Sequence, residues 1–346
     1  MVDDAGSVVT SGGTQLGLNG PGLPAAAATV AAESDDDVTS VARLYYLDGL
    51  GQQAIAAMIG VSRSTVSRLL TAARERGIVR ISVDPWDPRD AALERRLCER
   101  FELRHAVVIR TLRRSPEAVR RAVGYYAAAA VAERFQPGQA VGLAGGRTLY
   151  ELVNALAAVH PPTRPRVVQL MGNIDPTASV IDPTELARML AARFEGTCYT
   201  LNAPAFSSDR RTRDVFVDHE HIRTIRDLFA ALDVALVGIG SLDESAFVER
   251  GVLNAADFAA LRDAGAIGEI CGRFYDRSGR ECTTEYRDRV VSIELDTQRR
   301  CPEVVGVTNG PRRARAVLAA LRGRLVNSLV IDQQGAEALL AERDGR

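Results

Sequence analysis

The sequence contains no lysine; all 43 basic residues are arginine. No side chain can therefore form a Schiff base with a carbonyl compound. Cysteine is sparse. The five thiols (Cys98, Cys198, Cys271, Cys282, Cys301) are scattered without a CxxC pair. That excludes a disulfide framework or a zinc knuckle and points to reduced, cytoplasmic thiols. No stretch approaches about 18 uninterrupted apolar residues, so no membrane span is expected. No basic region followed by an apolar core marks a secretory signal. Neither sign of charge dominates, with 43 basic and 44 acidic residues and a net charge of −1. Any affinity for a polyanion must be local.

What is present suffices for two domains and a tail: 346 residues, 46% hydrophobic. Residues 1–36 are rich in Gly, Ala, Ser and Thr, end in an acidic run and show no apolar periodicity. They read as a disordered tail. Residues 37–83 read as a helix-turn-helix domain with a wing. A helix over 38–48 offers Val41, Leu44, Tyr45 and Leu47 for packing. QQAIAAMI (52–59) is a second helix with Ile55, Met58 and Ile59 on one face. Gly60 turns the chain and Val61 plugs the corner. Ser62 supplies an N-cap for the next helix, where Val66, Leu69 and Leu70 recur at helical spacing. Gly77 stops that helix. IVRISV (78–83) alternates like a half-buried strand, and 84–90, with Pro85 and Pro88, reads as a linker.

The outer face of the third helix carries Arg63, Ser64, Thr65, Ser67 and Arg68. Residues 62–80 hold five arginines against the single acid Glu75. A cationic helix after a tight turn suits the major groove of double-stranded DNA. The residues expected at that interface are Gln52, Ser62, Arg63, Ser64, Thr65, Ser67 and Arg68.

Residues 91–346 alternate helices with short apolar strands, the pattern of a doubly wound, mostly parallel α/β domain. Expected strands are 105–110, 140–144, 166–172, 198–204, 233–240, 290–295, 303–308 and 327–332. Ligands in such sheets sit beyond the strand carboxyl ends. AVGLAGGRTLYEL (140–152) places Gly145, Gly146, Arg147 and Thr148 there, at the start of a helix able to hold an anion or a polyol. Its spacing is neither that of a Walker loop nor that of a dinucleotide site. Other strand ends supply Gly172 and Asn173, Glu269 beside glycines, and Asn309, Gly310 and Arg313. Arg250 is a more remote candidate. The run Asp218-His219-Glu220-His221 lacks metal-ligand spacing, Asp182, Asp209 and Asp214 lack readable partners, and no serine sits in a nucleophile elbow. No catalytic set, metal site or cofactor motif is legible.

These residues resemble the SorC family of bacterial sugar-responsive transcription regulators. The resemblance is carried by LYYLDGLGQQAIAAMIGVSRSTVSRLLTAARERGIVRISV, AVGLAGGRTLYEL, GAIGEICGRFYD and NGPRRARAVLAALRGRLVNSLVIDQQGAEALL, and covers roughly 38 to 340. It implies a DNA-binding regulator of carbohydrate metabolism whose second domain, similar to sugar-phosphate isomerases, binds a sugar, polyol or sugar phosphate without chemistry. It also implies self-association, usually as a tetramer. By motif, Arg147 and Thr148 occupy the phosphate-and-hydroxyl loop and Glu269 the acidic position of G-x-x-G-[DE]. Arg313 falls where many members have a phosphate-holding lysine. The alternative is an isomerase- or deaminase-like enzyme with an appended DNA-binding module.

Overall fold

The computed structural model describes residues 34–83, 86–111, 115–156, 163–174 and 179–342. The chain divides into two units, Met1–Pro85 and Trp86–Arg346.

In the first unit, helix α1 (Asp35–Tyr46) begins three residues earlier than expected, because Ser34 caps it. The Ser34 hydroxyl accepts from Asp37 N at 3.1 Å. The acidic run assigned to the tail is the first turn of this helix, where carboxylates favour the dipole. Tail residues 1–33 lie outside the described residues. Helices α2 (Gln52–Ile59) and α3 (Arg63–Glu75) follow. Val38, Val41 and Ala42 of α1 close over Ile55, Ala56, Val66, Leu69, Leu70 and Ala73. Leu47, Met58, Ile59 and Val61, expected inside, are exposed. Residues 78–83 form no strand. Alternation alone does not make a wing, since a strand needs a partner ladder and none opposes this segment among the described residues.

The second unit contains helices α4 (Ala91–Phe101), α5 (Pro116–Ala132), α6 (Arg147–Leu156) and α7 (Pro183–Arg193). Its strands are β1 (His105–Ile109), β2 (Ala140–Leu143), β3 (Arg166–Gln169), β4 (Thr197–Tyr199), β5 (Val234–Gly238), β6 (Gly240–Ser241), β7 (Gly268–Ile270), β8 (Arg273–Tyr275), β9 (Glu303–Val307) and β10 (Ser328–Asp332). Seven make one parallel sheet in the order β1-β10-β9-β5-β2-β3-β4. Strands such as β2 and β10 are buried along their whole length, as near-continuous apolar runs in a sheet covered on both faces must be. After β2 the chain winds outward through β3 to β4, then returns to the other side of β2 as β5. The order therefore reverses between β2 and β5, where the loops leaving the two strand ends diverge and open a crevice.

Three expectations change. Of the expected linker, Asp84 and Pro85 lie outside the described residues, and the chain beyond them is tied to the second unit. Arg110 N donates to Pro88 O at 2.7 Å, and Arg89 pairs with the Glu94 carboxylate at 2.8 and 2.7 Å. Residues 290–295 touch Met171 and Phe206 only through isolated bridges and form no strand. GAIGEICGRFYD folds as the β7–β8 hairpin, which joins β6 in a separate antiparallel sheet. No helix among the described residues is long and apolar enough to cross a membrane.

Candidate functional site

Two sets of residues are candidates, one on each unit. On the first, Gly60 adopts a left-handed conformation (φ 72°) that ends α2, and Ser62 starts α3 by accepting from Thr65 N at 3.1 Å. The Ser62 hydroxyl also lies 2.7 Å from Ser64 Oγ and 2.9 Å from Thr65 Oγ1. These three hydroxyls are thus locked to one another at the helix start. Arg63, Ser64, Ser67 and Arg68 are exposed, Thr65 and Gln52 half-buried. Arg76 leaves the cationic face to pair with Asp35 at 2.8 Å. The face keeps Arg63 and Arg68, for which the structure shows no ion pair among the described residues.

On the second unit, a cavity of about 160 Å³ opens at the carboxyl ends of β2, β5 and β9. It lies at the topological switch point between β2 and β5. Ordinary ligand pockets run from about 300 Å³ upward, so the space suits a small molecule and not a dinucleotide. Of the residues expected to meet there, Gly145, Gly146, Arg147, Thr148, Arg250, Glu269, Asn309 and Arg313 do so. Gly145 must be small, since a Cβ would lie 2.7 Å from the Pro183 ring. Gly146 has φ 130°, outside the comfort of other residues. The two glycines deliver Arg147 and Thr148 at the start of α6.

Asn309 joins the strand ends. Its Oδ1 accepts from Thr148 Oγ1 at 3.2 Å and from Arg313 Nη1 at 3.3 Å. Glu269 is the middle residue of β7, just before the β7–β8 turn, in which Cys271 (φ 52°) and Gly272 (φ 75°) are both left-handed. Gly272 N donates to Glu269 Oε2 at 3.1 Å. Burial nevertheless pushes the Glu269 carboxyl up to about 7, with Gly272 N–H and Arg313 opposing the shift. Arg313 is lowered by burial and by the neighbouring Arg147 and Arg120 guanidiniums, against the pull of Glu244 and Glu269. Arg250 stands 3.8 Å from buried Asp182, a carboxylate that had no readable partner in the sequence.

Gly172, Asn173 and Gly310 do not line the cavity. A Cβ on Gly172 would lie 2.4 Å from the Pro204 carbonyl carbon, so that glycine serves close backbone packing. Asn173 Oδ1 accepts from Thr184 Oγ1 at 2.9 Å and fastens the end of β3 to α7. Gly310 is a turn residue (φ 87°) whose N–H meets Asp332 at 2.5 Å. Conversely, the cavity includes Arg120, Glu244 and Phe247, absent from the sequence reading. Arg120 sits on a helix without any motif. Glu244 closes a short turn (Leu242–Glu244) after β6, and its place beyond a strand end was the only available signal. Among the described residues, no group of three or more His, Cys, Asp or Glu could hold a metal ion.

A helix-turn-helix unit and a doubly wound unit with a small cation-lined cavity define a DNA-binding regulator with a small-molecule domain. Comparison with known proteins identifies the group. Residues 88–341 match the family described as "Putative sugar-binding domain", and residues 40–85 match the Crp-like helix-turn-helix domain. The chain is 32% identical over 321 residues to the sorbitol operon regulator of Klebsiella pneumoniae, covering 89% of this chain and 99% of that one. It is 31% identical over 301 residues to the deoxyribonucleoside regulator of Bacillus subtilis (strain 168), covering 86% and 95%. The crystal structure of the full-length Klebsiella pneumoniae sorbitol operon regulator SorC superposes with a TM-score of 0.71 at 30% identity, covering 90% of this chain and all of that one. The chain belongs to the SorC family of sugar-binding transcriptional regulators, and it is a DNA-binding transcriptional regulator.

Proposed function

We propose that the cavity binds a small phosphorylated sugar or polyol, and that this ligand switches the affinity of the helix-turn-helix unit for operator DNA. The observation that carries this reading is the charge of the lining. Among the described residues, four arginines (Arg120, Arg147, Arg250, Arg313) and two acids (Glu244, Glu269) line about 160 Å³. Guanidinium groups suit phosphate oxygens, and the α6 start adds backbone N–H groups. Glu269, Asn309 and Thr148 are then left for hydroxyls. One relative is named for sorbitol, which agrees with a polyol-sized ligand.

On the first unit, Ser62 to Arg68 enter the major groove. Arg63, Ser64, Thr65, Ser67 and Arg68 read bases or phosphates, and Gln52 contacts the backbone. One such helix supplies little affinity, so the working form is a dimer or a higher assembly on a palindromic site. An effector that prefers one arrangement of the assembly by about 1–3 kcal/mol shifts operator affinity about 5–150-fold. The protein acts in the cytoplasm and does no chemistry on its ligand.

A thermal-shift series over sugars, polyols and their phosphates tests the reading, because a ligand of the native state raises the melting temperature. Phosphates of small sugars or polyols are expected to stabilise the protein where the unphosphorylated compounds do less. A series without any shift would sink the cavity assignment. Turnover of a bound sugar phosphate would sink the non-enzymatic one. Sedimentation at operator-binding concentrations checks the assembly, and a monomer there overturns it.

A further inference from the structure

Two of the cavity's arginines are poorly satisfied. Arg313 Nε is buried without a hydrogen bond, and so is Arg120 Nε. The Nη1 contacts of Arg313 to Asn309 O and Oδ1 are long, at 3.4 and 3.3 Å. The acid beside this group is Glu244, whose Oε2 lies 3.5 Å from Arg313 Nε, close enough for attraction and outside hydrogen-bond geometry. The other oxygen of the same carboxylate, Oε1, is 2.8 Å from Arg312 Nη1. Arg312 points away from the cavity: it lines an outer groove on the far side of Glu244, and its side chain is 78% exposed. One carboxylate is therefore shared between an inner arginine that it serves badly and an outer arginine that it serves well.

We propose that Glu244 is an internal counter-ion of the anion subsite, and that an anionic effector must displace it toward Arg312. This rests on the reading that the cavity takes a phosphorylated ligand, and it adds a specificity determinant to it. A phosphate oxygen offers Arg313 Nε the hydrogen bond that Glu244 does not make. Arg312 keeps the departing carboxylate paired, so displacement leaves no unpartnered charge. A neutral polyol gains nothing from the exchange, because it cannot replace the negative charge beside Arg313. Glu244 thereby sets a threshold that only a ligand with an anionic group crosses.

The test uses the full-length protein, inorganic phosphate as probe, and thermal shift or calorimetry as readout. Glu244→Gln removes the competing charge and keeps the shape, so phosphate affinity is expected to rise about tenfold, within the usual range of coupling between sites. Arg312→Ala, outside the cavity, releases Glu244 inward and is expected to weaken phosphate binding several-fold. In the double variant the Arg312→Ala effect should vanish, since its intermediary is gone. Loss of the response in Arg313→Ala places the phosphate in the cavity. If Glu244→Gln weakens binding or leaves it unchanged, or if Arg312→Ala acts equally in both backgrounds, Glu244 is no competitor and the proposal falls while the cavity reading stands. If phosphate binds neither the parent protein nor Glu244→Gln, both fall.

Discussion

The two units use arginine in opposite ways. On the first, Arg63 and Arg68 project from the exposed face of α3 into solvent. On the second, Arg313 is largely enclosed, its side chain 18% exposed, and crowded by other guanidiniums. An exposed cation is screened by salt and attracts any polyanion. A desolvated cation is screened far less and discriminates by shape and charge count. Their cores differ as well. Among the described residues, nine buried apolar side chains form the core of the first unit, whereas the second has a continuous core running through the seven-stranded sheet.

The strongest way to break this comparison is Val66→Asp. Val66 is fully buried, and the described residues that form its core cluster are apolar. The substitution should cost more than about 4 kcal/mol and unfold the first unit alone. Operator binding would be lost, while phosphate-dependent stabilisation of the second unit persists in a melting experiment. Loss of both would show that the units do not fold independently.

Arg313→Ala should weaken a phosphorylated effector by about 2–4 kcal/mol, as truncation of a buried charge partner does. Affinity for operator in the absence of effector should not change. The residual effector binding should vary little between 50 and 200 mM salt, and a steep salt dependence in the parent protein would contradict a desolvated site.

Glu269→Gln sharpens the electrostatic side. The folded-state carboxyl titrates at about 7, against 4.5 for an unperturbed one. Between these values the folded protein holds a proton that the unfolded chain has released. Stability therefore falls as pH rises through this window and levels off above it, by on the order of 2–3 kcal/mol. The variant should melt higher than the parent at pH 8, and the gap should close toward pH 4.5. Equal melting at pH 8 would mean that Glu269 is solvated. The smallest effect is expected for Arg68→Ala on the solvated face, about 1 kcal/mol in operator affinity and about one unit off the salt slope. Unchanged affinity and slope would remove Arg68 from the interface.

Legibility followed the range of the interactions. Ser62, Gly60 and the Val66–Leu69–Leu70 spacing act within a few residues, so the α2–turn–α3 segment could be read directly. Apolar runs marked β2, β5, β9 and β10 because strands buried on both faces need no alternation. Local pattern misled at 78–83, read from its alternation, and at 290–295: neither joins a strand ladder among the described residues. Gly172 and Asn173 illustrate the limit at the site. Both follow a strand end, yet their backbone is engaged by Ala203, Ala205 and Val291, and their neighbours Met171 and Ile174 reach the cavity instead. Arg120 was invisible, since nothing local separates it from any other arginine on a helix.

The sequence by itself determined the elements, their caps, the cationic face of α3 and the glycine turn before Arg147. Each depends on backbone preference and periodicity over a few residues. Only the tertiary structure decided which strand ends converge. The reversal of order between β2 and β5 brings Arg120, Arg147, Glu244, Glu269 and Arg313 around one small space. Their burial and mutual charge, which raise Glu269 and leave Arg313 poorly paired, arise from that convergence and from no segment alone.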